Sequence, residues 1–297
     1  MNEIISITVD EITLEKIKKF YEEDIQDNNG AYVVFFAKSN RLSITAYKIK
    51  DGKSKVVFSG PNALQEARIW DINAEKRPDN EWEYFGEQIG SDEVGVGDFL
   101  LPMVVVAAYV NKKQISLLRE LGVNDSKKLS DQKILEIGPR LVKEFSFSKL
   151  TLPNEKYNEM YQKGENLNSL KAKMHNRALL NMHHEHPEVI NIFVDEFAKP
   201  TTYYRYLNDH NEEIVGNIIF KTKGESHFPC VALASVIARY SLLKEKEKLD
   251  ATYHLDFPFG AGPKVDEFVT TFIDKYGFEE LTKIAKTNFA NYKKLNK

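Results

Sequence analysis

The sequence predicts an α/β protein in which a mixed β-sheet is flanked by helices and preceded by a small α+β unit. Two β-branched, strongly apolar runs, at 103–110 and 189–194, predict strands that are buried on both faces. Stretches with helical spacing of apolar residues alternate with such strands, which is typical of helices layered on a sheet. A polar segment at 71–85, which contains Arg77-Pro78-Asp79-Asn80, predicts a linker after the first unit.

The first unit, residues 1–70, is predicted to contain two helices and three strands. Helical spacing predicts a helix over 11–23, and Pro61 is expected in the first turn of a second helix over 61–70. Three apolar runs predict strands at 31–37, 42–47 and 55–58. Asp51-Gly52 predicts a hairpin turn between the last two strands.

The larger domain is predicted over 86–297, where strands and helices alternate. The predicted strands cover 88–94, 103–110, 147–152, 189–194 and 214–220. The predicted helices cover 113–121, 130–144, 154–183 with a break near Gly164, 228–248, 264–276 and 278–286. Ser130 and Ser226 are expected to cap the helices that follow them.

Composition limits the classes of protein that fit. The net charge is −3, so the protein has no globally basic surface of the kind that indicates binding of nucleic acid. Binding of nucleic acid would require a local cluster of basic residues. The only cysteine, Cys230, lies in an apolar run and is expected to be a buried structural thiol. No uninterrupted apolar stretch reaches 18 residues, and the N-terminus lacks the features of a signal peptide. We therefore expect a cytoplasmic protein with no membrane partner.

Four acidic residues occupy unusual positions. Asp92 and Glu93 lie in a glycine-rich segment just before the buried strand at 103–110. Asp195 ends another buried strand, and Glu225 precedes the most apolar helix. Oxygen ligands of this kind suit one or two Mg²⁺ or Mn²⁺ ions, which can promote hydrolysis of a phosphodiester.

The spacing of these acids alone leaves the choice between a metal site and ordinary surface or capping roles open. Successive strand residues face opposite sides, so Asp92 and Glu93 reach one metal only where the strand bends. Gly95 and Gly97 predict such a bend or bulge.

Several segments in order along the chain resemble the bacterial type III ribonuclease H family. They comprise residues 89–98, 124–130, 166–172 with His175-Asn176, 194–196, 223–226 and 234–239, with weaker likeness at 260–262 and 286–289. Glu225 is a glutamate where the sister type II enzymes usually carry aspartate. Val96 stands where type II enzymes carry arginine. Both features favour type III.

The resemblance implies a ribonuclease H-like fold and an N-terminal domain like half of a TATA-binding protein, which grips substrate. It also implies an endonuclease that hydrolyses the RNA strand of RNA/DNA hybrids with Mg²⁺ or Mn²⁺, two ions in the reacting complex, leaving 5′-phosphate and 3′-hydroxyl ends. The four acids, Asp92, Glu93, Asp195 and Glu225, take the catalytic and metal-binding positions. A monomer is expected.

Substrate contacts are expected at eight residues. The backbone amides of Gly95, Val96 and Gly97 are candidates to recognise the 2′-hydroxyl of RNA. The remaining candidates, which include the phosphate-binding lysines, are Ser126, Lys127, Lys128, Asn168 and Lys171.

Some roles stay open at the level of sequence. The side chains of Tyr32, Phe35, Arg41 and Tyr47 are candidates either to meet a duplex or to pack within the first unit. His227 is a candidate to assist product departure, or else a capping or packing residue. Two other functions also remain: the type II activity at single ribonucleotides embedded in DNA, and binding of nucleic acid without catalysis.

Overall fold

A computed structural model describes the chain at residues 3–27, 33–39, 41–48, 52–74, 82–208 and 213–295. The chain divides into two compact units, Met1–Asp79 and Asn80–Lys297. Of the features expected from the sequence, Tyr32, Asp51 and residues 77–80 of the linker lie outside the described residues.

The smaller unit is a five-stranded antiparallel sheet with two helices on one face, in the order β1-β5-β4-β3-β2. Its elements are β1 (Glu3–Val9), α1 (Glu11–Phe20), β2 (Ile25–Gln26), β3 (Val33–Lys38), β4 (Ser43–Lys48), β5 (Ser54–Gly60) and α2 (Ala63–Trp70). Alternate strand residues such as Ile5 and Phe58 pack against Ile17 of α1 and Ala67 of α2. Phe35 belongs to this core, so its packing role is correct, whereas Tyr47 is 37% exposed.

The larger unit alternates strands and helices around a second five-stranded sheet. Its strands are β6 (Gln88–Val94), β7 (Met103–Val110), β8 (Phe147–Leu152), β9 (Ile192–Asp195) and β10 (Ile218–Lys221). Its helices are α3 (Ile115–Glu120), α4 (Asp131–Glu144), α5 (Asn154–Gln162), α6 (Leu167–Glu185), α7 (Pro200–Leu207), α8 (Pro229–Tyr253), α9 (Pro263–Tyr276), α10 (Phe278–Ile284) and α11 (Ala290–Leu295).

The sheet of the larger unit is mixed, with the order β10-β9-β6-β7-β8. Strands β6, β7 and β8 are antiparallel neighbours, whereas β9 and β10 run parallel to β6. Every residue of β7 is buried, as the apolar run predicts for a strand covered on both faces. The predicted mixed sheet between helical layers is confirmed.

Helices α8 and α6 cover opposite faces of this sheet. Helix α8 approaches β6 so closely that a Cβ atom at Gly90 would lie 2.9 Å from the backbone nitrogen of Val231. Cys230 is buried at the same contact, as predicted, and burial raises the pKa of its thiol well above the ordinary value. Glycine at position 90 therefore sets the spacing between the sheet and α8.

The sequence placed most elements correctly but missed or misjudged some. Strands β1 and β2 and helices α7 and α11 were not predicted, so the smaller unit has five strands where three were expected. Strands β9 and β10 begin later than predicted, and each ends one residue beyond the predicted strand. Ser130 caps α4 by accepting a hydrogen bond from the Lys133 amide, as expected. The predicted cap at Ser226 is wrong, because Phe228 precedes α8 and Ser226 lies in a separate 3-10 turn, Gly224–Ser226.

No helix among the residues that the model describes is both long and apolar enough to cross a bilayer.

Candidate active site

Asp92 and Asp195 lie side by side at the ends of two parallel strands. The pairing of β6 with β9 runs to Ser91 opposite Val194, so the next residue on each strand is an aspartate. Residues paired in this way project from the same face of a sheet. The parallel arrangement therefore brings two acids together that are about a hundred residues apart in the sequence.

Asp92 is buried against α8. Its Oδ1 atom accepts a hydrogen bond from the Glu93 amide at 2.8 Å, and the Ser235 side chain also hydrogen-bonds to it. Burial raises the pKa of Asp92 to about 8, and the charges of Glu93 and Asp195 add to the rise. The hydrogen-bond donors of the protein therefore balance the negative charge of the Asp92 carboxylate only in part.

Glu93 faces the opposite helix, α6. One carboxylate oxygen pairs with the Lys171 ammonium, and the other lies 2.9 Å from Nε2 of His175. Nδ1 of His175 lies 2.7 Å from the Ser91 hydroxyl, which extends the chain of hydrogen bonds back to β6. Burial raises the pKa of Glu93, but His175 and Lys171 together bring it below the ordinary value.

The strand bends after these acids and not between them. Pairing of β6 with β7 is uninterrupted through Val94 opposite Val104, so the predicted bulge at the acids is wrong. Gly95 then turns the chain with a φ of +84°, where a Cβ atom would collide with the carbonyl oxygen of Pro102. Glu93 still raises the pKa of Asp92, so the two charges interact across the end of the strand.

Asp195 and Glu225 are joined by a short turn. Oδ1 of Asp195 accepts a hydrogen bond from the Gly224 amide at 2.7 Å. Burial raises the pKa of Asp195; this amide opposes the rise, and the charges of Glu225 and Glu93 reinforce it. Glu225 is itself buried and pairs with the ammonium group of Lys127. All four acids thus belong to one electrostatic cluster.

The segment just before β6 supports the turn that carries Glu225. Nε1 of the buried Trp82 donates to the Glu225 carbonyl oxygen at 3.3 Å, and the Glu83 amide donates to the His227 carbonyl oxygen at 2.8 Å. The Glu83 carboxylate pairs with Lys221 and with Nδ1 of His227. His227 therefore packs against Glu83, in line with a structural role.

The glycine segment, Gly95 to Gly97, begins two residues after Glu93. Gly95 is buried, Val96 is half-buried and Gly97 is exposed. All three follow Val94, the last residue of β6, in the turn that leads to β7.

The other five substrate candidates divide into three groups. Lys127 and Lys171 lie against the acids, the first exposed and the second buried. Ser126 lines a shallow cavity that also borders Glu93. Lys128 and Asn168 are exposed, and Lys128 pairs with Asp125 at 3.1 Å.

The cluster fits a divalent cation by its chemistry. Four carboxylates with little water around them favour a hard cation, and the raised pKa of Asp92 reports the uncompensated negative charge. Within the described ranges, no three His, Cys, Asp or Glu side chains form a ready-made set of ligands. Lysine, histidine and backbone donors engage the carboxylates of Glu93, Asp195 and Glu225 instead.

Sequence reasoning assigned no role to three residues that touch the site. His175 and Ser235 lie in segments that carried the family resemblance, and that likeness was the available signal. Trp82 lay in the predicted linker, where a single buried tryptophan gives no periodic pattern.

A family model described as Ribonuclease HII matches residues 89–292, and a model described as Domain of unknown function (DUF3378) matches residues 5–82. The first match covers the sheet of the larger unit from the second residue of β6 onward, together with helices α3 to α10. Fold, acids and family model together define the class as ribonuclease H.

Relatives that match nearly the whole chain identify the family within the ribonuclease H class. Proteins named Ribonuclease HIII from Bacillus mycoides and Bacillus anthracis are each 39% identical, over 99% of this chain and 98% of their own length. The crystal structure of Bst-RNase HIII in complex with Mn²⁺ matches with a TM-score of 0.70 at 35% identity, covering 98% of this chain and 97% of that one. The chain belongs to the ribonuclease HIII family.

A more distant match supports the fold alone. The crystal structure of Aquifex aeolicus RNase H3 matches with a TM-score of 0.55 at 21% identity, over 95% of this chain.

Proposed function

We propose that the protein is an endonuclease that hydrolyses the RNA strand of RNA/DNA hybrids with divalent metal ions, leaving 5′-phosphate and 3′-hydroxyl ends. Membership of the ribonuclease HIII family supports this activity. The observation that carries the proposal for this chain is the placement of Asp92 and Asp195 on neighbouring strands, each one residue beyond the paired residues Ser91 and Val194. Glu93 and Glu225 complete the acidic cluster around them.

We assign the metal ligands to the carboxylates of Asp92, Glu93, Asp195 and Glu225. Mg²⁺ or Mn²⁺, with two ions in the reacting complex, would activate a water and stabilise the leaving oxygen. The crystallised relative named above was determined with Mn²⁺. Asp92 needs a cation most, because burial keeps its pKa high in the absence of one.

The residues around the acids orient them. Lys171 binds one carboxylate oxygen of Glu93 and His175 binds the other. These two contacts fix the rotation of the carboxylate. The Gly224 amide fixes one oxygen of Asp195 and leaves the other for a ligand. Ser235 and the Glu93 amide orient Asp92 from the opposite side of the sheet. This preorganisation lowers the cost of arranging charge at the reacting phosphate.

The hybrid would be held by the glycine segment and by nearby cations. The amides of Gly95, Val96 and Gly97 are proposed to meet the 2′-hydroxyl, the group that separates RNA from DNA. Lys127 and Lys171 already lie at the acids and are proposed to contact phosphate groups once cations hold the carboxylates. The exposed candidates Lys128 and Asn168, together with the half-buried Ser126, are proposed to extend this contact along the backbone of the duplex.

The chain is proposed to work as two domains joined by a linker, with a substrate-gripping domain at 1–70, the linker at 71–85 and the catalytic domain at 86–297. The antiparallel sheet of the smaller unit has helices on one face, which leaves its other face for a duplex. We also propose a cytoplasmic monomer. All four acids come from one chain, and its only cysteine is a buried thiol that needs no oxidising compartment.

The test is cleavage of four end-labelled substrates: a uniform hybrid, a DNA duplex, an RNA duplex and a DNA duplex with one ribonucleotide. We expect cleavage of the hybrid only, abolished by a chelator, with products that a phosphatase converts to 5′-hydroxyl ends. Asp195→Asn should bind the hybrid and leave it intact, while the exposed-site control Asp274→Asn should cut normally. Efficient cutting at the single ribonucleotide would instead assign the type II activity. A fully active Asp195→Asn would refute the assignment of the acids.

A further inference from the structure

Lys286 is a buried lysine whose side-chain amino group is hydrogen-bonded inside the fold. It follows α10, and its side chain is only 1% exposed. Its Nζ atom donates to the backbone carbonyl oxygens of Gly95, Asp98 and Leu101 at 2.6, 2.6 and 2.8 Å. An ammonium group has three N–H bonds, so all of its donors are engaged.

These three carbonyl groups belong to the turn that connects β6 to β7 and contains the glycine segment. A turn of this length has no strand partner for its backbone, and buried carbonyl groups must be hydrogen-bonded. Lys286 supplies those bonds from about 190 residues further along the chain. The side chain of Lys286 therefore ties three carbonyl groups of the turn to one point, in addition to the bond within the turn from the Asp98 amide to the Gly95 carbonyl oxygen at 3.3 Å.

The C-terminal region holds the same turn at further points. The amide of Lys286 donates to the Phe99 carbonyl oxygen at 3.0 Å, and the Phe99 amide donates to the Gly260 carbonyl oxygen at 2.9 Å. The Asp98 carboxylate accepts a hydrogen bond from the Gly260 amide. The rings of Phe99 and Phe289 lie 5.9 Å apart between centroids. The C-terminal region thus binds the turn at Asp98 and Phe99, and the side chain of Lys286 extends this contact to Gly95.

The bond to Gly95 has a directional consequence for Val96. The Gly95 carbonyl and the Val96 N–H belong to one planar peptide group, and the described peptide bonds are all trans. Because a trans peptide points its C=O and its N–H in opposite directions, holding the carbonyl on Lys286 aims the Val96 N–H away from the core. None of the described residues accepts a hydrogen bond from that N–H. Val96 therefore presents a fixed donor on the substrate side of the turn.

We propose that Lys286 is a positioning residue that sets the backbone amides of the glycine segment for recognition of the ribose 2′-hydroxyl. This inference rests on the proposed function and adds to it the residue through which the C-terminal region controls discrimination between RNA and DNA. Lys286 itself is buried and does not touch the substrate.

The test compares two hybrids, one with an all-RNA strand and one in which a single 2′-deoxynucleotide interrupts it. The wild-type protein should cut strongly next to ribonucleotides and poorly at the interruption. In Lys286→Met, kcat/KM on the all-RNA hybrid should fall about tenfold, while cutting at the interruption should change little, since one or two hydrogen bonds to the 2′-oxygen are lost. Discrimination should therefore shrink by the same factor of about ten.

Two further variants separate positioning from folding. Lys286→Arg keeps the charge and several donors, so it should restore most of the discrimination. Lys283→Met removes a nearby exposed lysine that pairs with Glu280 and should behave as wild type. Binding of Mg²⁺, followed by calorimetry, should match wild type in all three variants.

The outcomes are distinct. Lys286→Met with unchanged discrimination, or with equal loss on both hybrids, would overturn the positioning role. So would loss of the fold in both Lys286→Met and Lys286→Arg, because the role of Lys286 would then be structural. Failure of the wild-type protein to cut any hybrid would instead refute the proposed function.

Discussion

His175 lies between Ser91 and Glu93, with Nδ1 2.7 Å from the Ser91 hydroxyl and Nε2 2.9 Å from the Glu93 carboxylate. Ser91 and Glu93 are two positions apart on β6 and so share one face of the strand. A neutral imidazole satisfies both partners if Nε2 carries the proton and Nδ1 accepts from the hydroxyl. The histidine is fully buried, so this arrangement fixes the orientation of Glu93.

Replacing His175 should weaken catalysis through Glu93. His175→Ala leaves the carboxylate held by Lys171 alone, and we expect kcat to fall by about 10- to 100-fold, as for residues that orient metal ligands. The affinity for Mn²⁺, measured by calorimetry, should fall in parallel. His184→Ala on the same helix is the control, since that side chain is exposed. Normal kcat in His175→Ala would contradict the orienting role.

Asp92→Asn should abolish activity and weaken metal binding. The amide keeps the size of the side chain but supplies no negative charge, so we expect kcat to drop on the order of a thousandfold or more. Calorimetry with Mg²⁺ should record a loss of affinity, while circular dichroism should remain that of the wild type. A variant that cuts hybrids at the normal rate would show that Asp92 is not a ligand.

The stability of the metal-free protein should depend on the protonation of Asp92. Burial raises the pKa of this group from 3.8 to about 8, so the folded state holds a proton that the unfolded chain releases. The stability linked to this proton is full below about pH 4 and is lost as the pH rises through 8.

Urea unfolding in a chelator should therefore detect this dependence. Between pH 5 and 8.5, wild type should lose about 4 kcal/mol more stability than Asp92→Asn, in which the group does not titrate. Added Mg²⁺ should offset the loss most strongly at high pH, because the cation competes with the proton. Parallel pH profiles for the two proteins would contradict the raised pKa.

Lys127 should contribute to binding of the duplex and not to stability. Its side chain is 64% exposed, so its pair with Glu225 adds little to folding, and the Tm of Lys127→Ala should stay close to wild type. The affinity for the hybrid is measured by fluorescence anisotropy with inactive protein at several salt concentrations. In Lys127→Ala, the slope of log affinity against log salt concentration should become about one unit shallower than in wild type. Lys244→Ala, on the exposed surface of α8, provides the comparison. Equal slopes for both variants would exclude a phosphate contact at position 127.

Gly90→Ala should destabilise the larger unit. The added methyl group would meet the backbone of Val231 at 2.9 Å and the side chain of Cys230, so α8 must move away from the sheet. We expect a loss of about 1–3 kcal/mol in the free energy of unfolding, as for overpacked cores. Gly97→Ala is the control for stability, because nothing lies within 4 Å of a Cβ atom there.

The strands of the catalytic sheet could be read from the sequence because burial on both faces leaves a continuous apolar run. The bounds predicted for β6, β7 and β8 agree with the structure. Helix α7 was missed because it has only eight residues and only two buried positions, Tyr203 and Leu207. A pattern so short carries little periodic signal.

The sequence and its family resemblance singled out the four acids together, but they did not reveal the residues that surround them. Asp195 ends β9, a position that the apolar run before it reveals in the sequence, and Asp92 lies two residues before the end of β6. The pair between Lys171 and Glu93 joins residues 78 positions apart on different elements, and the sequence offered no signal that links them. Lys286 is a similar case, because an isolated lysine in a polar segment gives no sign of burial.

The burial of Cys230, in the first turn of α8 and facing β6, makes the native protein a convenient host for site-specific probes. The Cys230 thiol is buried and its pKa is raised, so the folded protein should not react with maleimide reagents at neutral pH. A cysteine introduced at an exposed position would then be the unique attachment point for a fluorophore or spin label. The native thiol would become reactive only on unfolding, and its rate of alkylation would report how often α8 separates from the sheet.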